Sequence, residues 1–243
     1  MIRGEGACLV CGKPIIYYEK AHEMECVMCH KKFESYASCE DGHYVCDECH
    51  AEKGIQVIME GCRESTSKNP IEIMQKLMED PYIYMHGPEH HVMVGAALLT
   101  AYYNCGGYDN CGGREEFEKG LEEMRFRGSE YPGGSCGLWG CCGAAVSTGM
   151  FMSIITKATP LTGKSWRLSN MMTSKALEAI AKLGGPRCCK RDSFTAAKAA
   201  VEFVKENFDI EMELPENIKC DFSSENEQCL RKACPYNKLG KVV

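Results

Sequence analysis

The hydrophobic pattern changes character after Lys53. Beyond it, apolar residues recur at helical spacing. In PIEIMQKLMED, Ile73, Met74 and Leu77 share one face, with Asn69 placed as N-cap and Pro70 at the first helical position, where a missing N–H is no loss. HGPEHHVMVGAALLTAYYN reads as a turn and then a helix, opened by Pro88 or Glu89 and running to about Asn104. That helix is apolar on nearly every side and belongs at the centre of a core. Further helical patterns cover 114–127, 144–158, 174–183 and 193–208, with Asn170 and Ser193 as candidate caps. Glycine-bearing loops separate them, and alternating β-branched runs are scarce. The expected fold is mainly α: a small α+β metal module over 1–55, a helical domain with glycine and cysteine loops over 56–214, and a cysteine-rich tail over 215–243. No repeat of fixed period is visible.

Composition refines this only a little. Hydrophobic residues make up 44% and charged residues 26%, enough for a core and unlike a disordered chain. A net charge of −6 gives no general attraction to nucleic acid or to an anionic membrane. The longest apolar stretches, 92–103 and 144–155, are interrupted and fall short of the roughly 20 residues that span a bilayer. The opening MIRGEGACLVCGKP lacks the layout of a secretory signal, so a cytoplasmic location and no membrane partner are expected. The 18 cysteines are the unusual feature. In a reducing compartment, C-x-x-C and Cys-Cys pairs favour metal binding or catalysis over disulfides.

Eight ligand-type side chains fall in four pairs before residue 50: Cys8/Cys11, Cys26/Cys29, Cys39/His43 and Cys46/Cys49. Both sulfurs of a C-x-x-C knuckle reach one ion, so four pairs make two tetrahedral zinc sites with nothing left over. From Cys26 the sequence reads as knuckle, strand, strand and a helix entered at Cys46 or Cys49, in treble-clef fashion. Pairing by adjacency is one arrangement; the interleaved one, Cys26/Cys29/Cys46/Cys49 with Cys8/Cys11/Cys39/His43, is preferred because knuckle, hairpin, knuckle and helix close a site by themselves. The layout resembles the cross-braced modules of RING and PHD fingers, but an extra pair precedes the core and none follows it, so ubiquitin-ligase activity does not carry over. Sites closed by four protein ligands are structural in character. His30 and His50, each following a knuckle, read as solvated or as supporting the ligands.

The remaining cysteines cluster in glycine loops: NCGGYDNCGG with Cys105 and Cys111, GGSCGLWGCCGAA with Cys136, Cys141 and Cys142, and GGPRCCKRDSF with Cys188 and Cys189. Glycines let backbone approach a bulky ligand, and three loops of like chemistry read as walls of one site. The helix start after Cys142, and Arg187, Lys190 and Arg191 around Cys188 and Cys189, are expected to favour thiolates. Thiolates without knuckle spacing suit an iron–sulfur cluster or soft metal, or a dithiol pair. His86, His90 and Glu89 are candidates for proton transfer or ligation; Pro88 spoils a simple i, i+4 chelate. In the tail, Cys220, Cys229 and Cys234 form C-x8-C-x4-C-P, a pattern fitting iron–sulfur ligation or a third zinc, with Cys62 or a substrate completing the set.

The chain after the zinc module resembles a family catalogued only as a domain of unknown function, common in methanogens and other strict anaerobes. The resemblance rests on HGPEHH, GGSCGLWGCCGAA, GGPRCCKRDSF and the terminal Cys-Pro. It implies an oxygen-sensitive cofactor and supplies no activity. Two readings stay open. One is an iron–sulfur or thiol-dependent enzyme acting on a small sulfur- or oxygen-bearing substrate, with Cys136, Cys141, Cys142, Cys188 and Cys189 at its centre. The other is a non-catalytic metal-binding partner or metallochaperone whose zinc module contacts another protein. Nucleic acid is a poor partner, because Lys13, Lys20, Lys31 and Lys32 are interleaved with glutamates.

Overall fold

A computed structural model describes residues 8–107 and 112–238. Two antiparallel strands, β1 (Ile15–Glu25) and β2 (Lys32–Cys39), form the only sheet among the described residues. Their register runs from Ile15 opposite Cys39 to Glu25 opposite Lys32, with an irregularity between Tyr17 and His22. The knuckle at 26–29 therefore connects the two strands, whereas the sequence pattern put both strands after it. Most hairpin residues are exposed or only half-buried. A two-stranded ribbon with so little core is marginal by itself, so what closes its ends matters.

α1 (Asp47–Glu64) starts at the knuckle of Cys46 and Cys49, with Cys46 as N-cap, and runs unbroken past residue 55 into the body, where Ile58, Met59 and Cys62 are buried. α2 (Pro70–Met78) is capped as expected: the Asn69 side-chain oxygen accepts N–H bonds from Ile71 at 3.0 Å and Glu72 at 3.3 Å. α3 (Glu89–Tyr102) buries every residue except His91. It is surrounded by α1, α2, α4 (Gly113–Glu130), α6 (Gly143–Ile155) and α8 (Cys189–Phe208). The short α5 (Ser135–Leu138) precedes α6, and α7 (Lys164–Leu183) packs on α6 and α8.

Close approach to α3 depends on glycine. A Cβ at Gly95 would collide with the Met124 sulfur, and the Gly95 N–H donates to Ser147 Oγ at 2.8 Å. Ser147 in turn donates to the His91 carbonyl at 2.5 Å. These contacts lock α6 to the first turn of α3 and so fix one side of the functional cavity.

Two helix starts differ from the sequence pattern. α7 begins ten residues before the expected 174, with Leu168, Met172 and Ala176 along its buried stripe, and Asn170 lies inside it, donating to the Trp166 carbonyl at 2.9 Å. α8 is capped by Cys188, whose sulfur accepts the Arg191 N–H at 3.5 Å, while Ser193 donates to the Cys189 carbonyl one turn on. In both cases an internal Ser or Asn satisfied its polarity against the preceding turn instead of ending the helix. No helix among the described residues is long and apolar enough to cross a membrane.

Candidate functional site

The structure brings the four N-terminal pairs together in interleaved fashion. Cys8, Cys11, Cys39 and His43 form one group and Cys26, Cys29, Cys46 and Cys49 the other, with all ligand atoms of each within 4.8 Å of one another. Thiolates about 2.3 Å from a tetrahedral zinc stand about 3.8 Å apart. Cys11 and Cys39 are separated by 3.8 Å, as are Cys29 and Cys46, and His43 Nδ1 lies 3.4 Å from Cys39 and 3.9 Å from Cys8. Both groups therefore have the spacing to hold an ion, and that spacing is compatible with zinc. Backbone N–H groups support the sulfurs: Val10 donates to Cys8 at 3.4 Å, His43 to Cys39 at 3.3 Å and Cys46 to Cys26 at 3.4 Å.

Within the second group the thiols are poised very differently. Burial alone would raise Cys26, but N–H donors from Cys46, Cys29 and Met28 bring it down to about 6. Cys49 is pushed up to about 12 by burial and by its three neighbouring thiols. Four sulfurs this close cannot all be anionic unaided; a dication relieves the conflict. Of the two histidines beside the knuckles, His30 is exposed and pairs with Glu25 at 3.1 Å, whereas His50 is buried and stacks on Tyr84 at 3.4 Å. Lys13 and Lys32 are each engaged by a carboxylate at 2.7 Å, Asp41 and Glu23 respectively.

A second centre lies in the body. The first turns of α3, α6 and α8, with the loops before them, line one cavity of about 240 Å³. His86 and His90, Cys136 and Cys142, and Cys189 with Asp192 contribute from its three sides, and Arg187 stands at its wall. Gly143 is required here, because a Cβ would run into the His91 ring. His91 is itself anchored by its Nδ1, 3.1 Å from the Tyr131 carbonyl, and burial holds its pKa below the usual histidine value.

Hydrogen bonding assigns the two imidazoles opposite roles. His90 Nδ1 lies 3.2 Å from the Gly87 carbonyl, so in the neutral ring Nδ1 carries the proton and Nε2 the lone pair. His86 Nδ1 accepts the Cys189 N–H at 3.5 Å, so its neutral ring carries the proton on Nε2. Both Nε2 atoms are buried without a well-aligned hydrogen bond, as is that of His50, but the Asn226 and Gln228 side chains of the tail stand by the His86 ring. Buried polar atoms are normally satisfied, so the open His90 Nε2 beside the cavity marks a place for a ligand.

Two expectations about this region need correction. The cationic flank does not turn the thiols into thiolates: burial dominates, pushing Cys142 up to about 11 and Cys189 up to about 12, with the Asp192 carboxylate adding to both. Lys190 and Arg191 are instead spent on the backbone, Lys190 donating to the carbonyls of Met78 and Ile83 and Arg191 to those of Gly184 and Pro186. Glu89 does not line the cavity. It accepts the Tyr84 N–H at 3.0 Å and lies 3.6 Å from His90 Nδ1; burial raises its pKa, but the His90 imidazole outweighs that and keeps it ionised. Its place is to hold the 84–90 turn.

Nor do all three glycine loops meet. Cys105 points its thiol to the Glu211 carbonyl at 3.4 Å, away from the cavity, and Cys111 lies outside the described residues. Cys141 is half-buried beside the cavity without lining it, its carbonyl held by the Tyr131 hydroxyl at 3.0 Å. In the tail, Cys220, Cys229 and Cys234 line a small cavity of about 20 Å³ together with Cys188. Cys62 is not among them. It sits fully buried in the apolar core on α1, where burial pushes its thiol up to about 12.

Sequence reasoning missed Asp192, whose carboxylate bonds Arg191 at 2.9 Å and faces the cavity. The only signal available was its place one turn into a helix that opens on Cys188. It also missed that Cys188 turns away from Cys189 toward the tail, as alternate residues at a helix start must. No curated protein and no solved structure matches the chain. A model described as a family of unknown function, DUF5714, matches residues 58–237, which span all the cysteines of the body and tail, and the chain belongs to that family.

Proposed function

We propose that the protein is a thiol-dependent enzyme whose reaction takes place in the cavity at the starts of α3, α6 and α8, on a small anionic substrate bearing a sulfur or oxygen nucleophile. The observation that carries this reading is the buried, unpartnered Nε2 of His90 at one cavity with three thiols and a second imidazole, that of His86. Three helix N-termini and Arg187 draw an anion to the cavity, against the Asp192 carboxylate on its wall. The open lone pair of His90 takes a proton from a thiol or from the substrate, and the His86 N–H donates to the oxygen or sulfur opposite. Cys142 and Cys189, protonated at rest, are the groups that such a base would activate. In this account the two N-terminal groups hold structural zinc.

Mercaptoacetate, which joins a thiol to a carboxylate, is a suitable probe. Bound to the intact protein it is expected to raise the melting temperature, with the rise abolished in Arg187→Met and in His90→Gln. No rise, or a rise unchanged by both substitutions, contradicts the assignment. A second reading, a non-catalytic metal-binding partner, draws on the exposed Tyr17, Tyr36 and Met28 of the zinc module. It requires that substitutions in the cavity leave the protein's cellular role intact while Tyr17→Ser and Tyr36→Ser together abolish it.

A further inference from the structure

The four thiols of the tail cavity differ from the N-terminal groups in a way that bears on what they bind. Among the described residues, the groups whose ligand atoms all lie within 4.8 Å of one another are the two N-terminal ones; Cys188, Cys220, Cys229 and Cys234 do not form such a group. They nevertheless surround a shared space of about 20 Å³. One water-sized sphere needs about 10–15 Å³, so this void holds about one water, and a larger group would occupy the space between the sulfurs themselves.

The sulfurs are also dressed as ligands. Cys188 accepts the Arg191 N–H at 3.5 Å and the Asn226 side-chain amide at 3.4 Å, and Cys229 accepts the Arg231 N–H at 3.3 Å. Donors of this kind support the sulfurs in the N-terminal groups and delocalise charge on a metal-bound thiolate. A cation is in place as well. Lys190 is 2% exposed and lies 4.0 Å over the ring of Phe222, which lines the same cavity; burial brings it down to about 8, with the Glu225 and Glu89 carboxylates opposing that without pairing with it. A further anion in the cavity would add to their support of the buried ammonium.

From these observations we infer that Cys188, Cys220, Cys229 and Cys234 hold a four-iron, four-sulfide cluster, one thiolate on each iron, rather than a third single ion. Four irons spread their thiolates further apart than one metal does, and the cluster with its four thiolates is an anion that answers Lys190. Cys188 precedes Cys189 directly, so the cluster fixes the start of α8, from which Cys189 and Asp192 enter the neighbouring cavity. It also ties down a tail that meets the body through contacts such as the Gln75 amide on the Lys219 carbonyl at 2.8 Å and the Tyr236–Thr195 hydroxyl contact at 2.9 Å.

Anoxically purified full-length protein tests this by elemental analysis for iron, acid-labile sulfide and zinc together with visible absorption. About four irons and four sulfides are expected per chain, alongside two zincs and a brown charge-transfer band. Cys229→Ser and Cys188→Ser are each expected to lose at least nine-tenths of the iron and keep both zincs, the retained zinc and helical circular dichroism showing that the chain still folds. Cys62→Ser is expected to keep its iron. A colourless protein with three zincs overturns the inference, as does iron that survives both Cys188→Ser and Cys229→Ser. The outcome is independent of mercaptoacetate binding, so it can fail while the catalytic reading stands.

Discussion

The N-terminal module and the helical body both bury cysteine, and the comparison shows two ways of using it. In the module, seven thiols and one imidazole converge at ion-binding spacing around a hairpin with little apolar core. There the ligand groups take the place of a core, for the ribbon has little apolar packing of its own. In the body, α3 is almost wholly buried in a conventional apolar interior, and most of the described cysteines, Cys62 and Cys105 apart, lie at or beside two cavities. There most of the interior is apolar side chain rather than sulfur. One residue type thus sits at ion-binding spacing in one half and mostly beside cavities in the other.

The largest expected effect breaks the module side of this contrast. Cys26→Ser removes the best-supported thiolate of its group and is expected to lose one of the two zincs. Structural zinc contributes about 10–16 kcal/mol to the folding of zinc-finger peptides, so the hairpin is expected to become protease-sensitive at 15–39. The helical signal of the body should remain nearly unchanged. Equal loss of helix from α2 to α8 would show that the two halves are not held by different means.

Packing in the body is predicted to respond more modestly. Gly95→Ala forces a methyl against Met124 and should destabilise by about 1–3 kcal/mol in denaturant titrations, with zinc content untouched. Cys62→Ala removes one buried sulfur from the core and should destabilise by about 1 kcal/mol. Lost metal in either variant would tie the core to the metal sites after all.

The smallest effect concerns acid. Burial holds His91 below the ordinary histidine value. Above about pH 6.5 its ring is neutral in both folded and unfolded chains and stability is unaffected. As pH falls from there through the lowered folded value, the unfolded chain binds the proton more readily, so stability declines. In His91→Gln this part of the acid-side decline should disappear, moving the acid midpoint to lower pH. An unchanged acid limb would mean that His91 is not kept neutral by the fold.

How far the sequence reveals this depends on the range of the interactions. The module was legible because C-x-x-C spacing is a local chelate, and interleaving follows from two knuckles flanking a turn; only the placement of β1 before its knuckle was misjudged. The Asn69 cap and the all-round apolar α3 were legible for the same reason. The body cysteines were recognisable as a group but not in their partition. Cys188 and Cys189 are neighbours in sequence, yet they face different cavities, because successive residues at a helix start point apart. Cys62 looked like an orphan ligand; only three-dimensional burial shows it packed in the core. The protonation of Cys142 and Cys189 was misjudged because flanking charges are visible in sequence while desolvation is not.

Alkylation of the metal-loaded protein under anoxic conditions, read cysteine by cysteine by mass spectrometry, tests the contrast most directly. Cys11 is exposed and Cys136 half-buried. If the module's thiols hold ions, Cys11 stays unmodified until a strong chelator is added, while Cys136 in the body reacts from the start. Cys11 reacting at the rate of a free surface thiol, with chelator making no difference, would contradict the account.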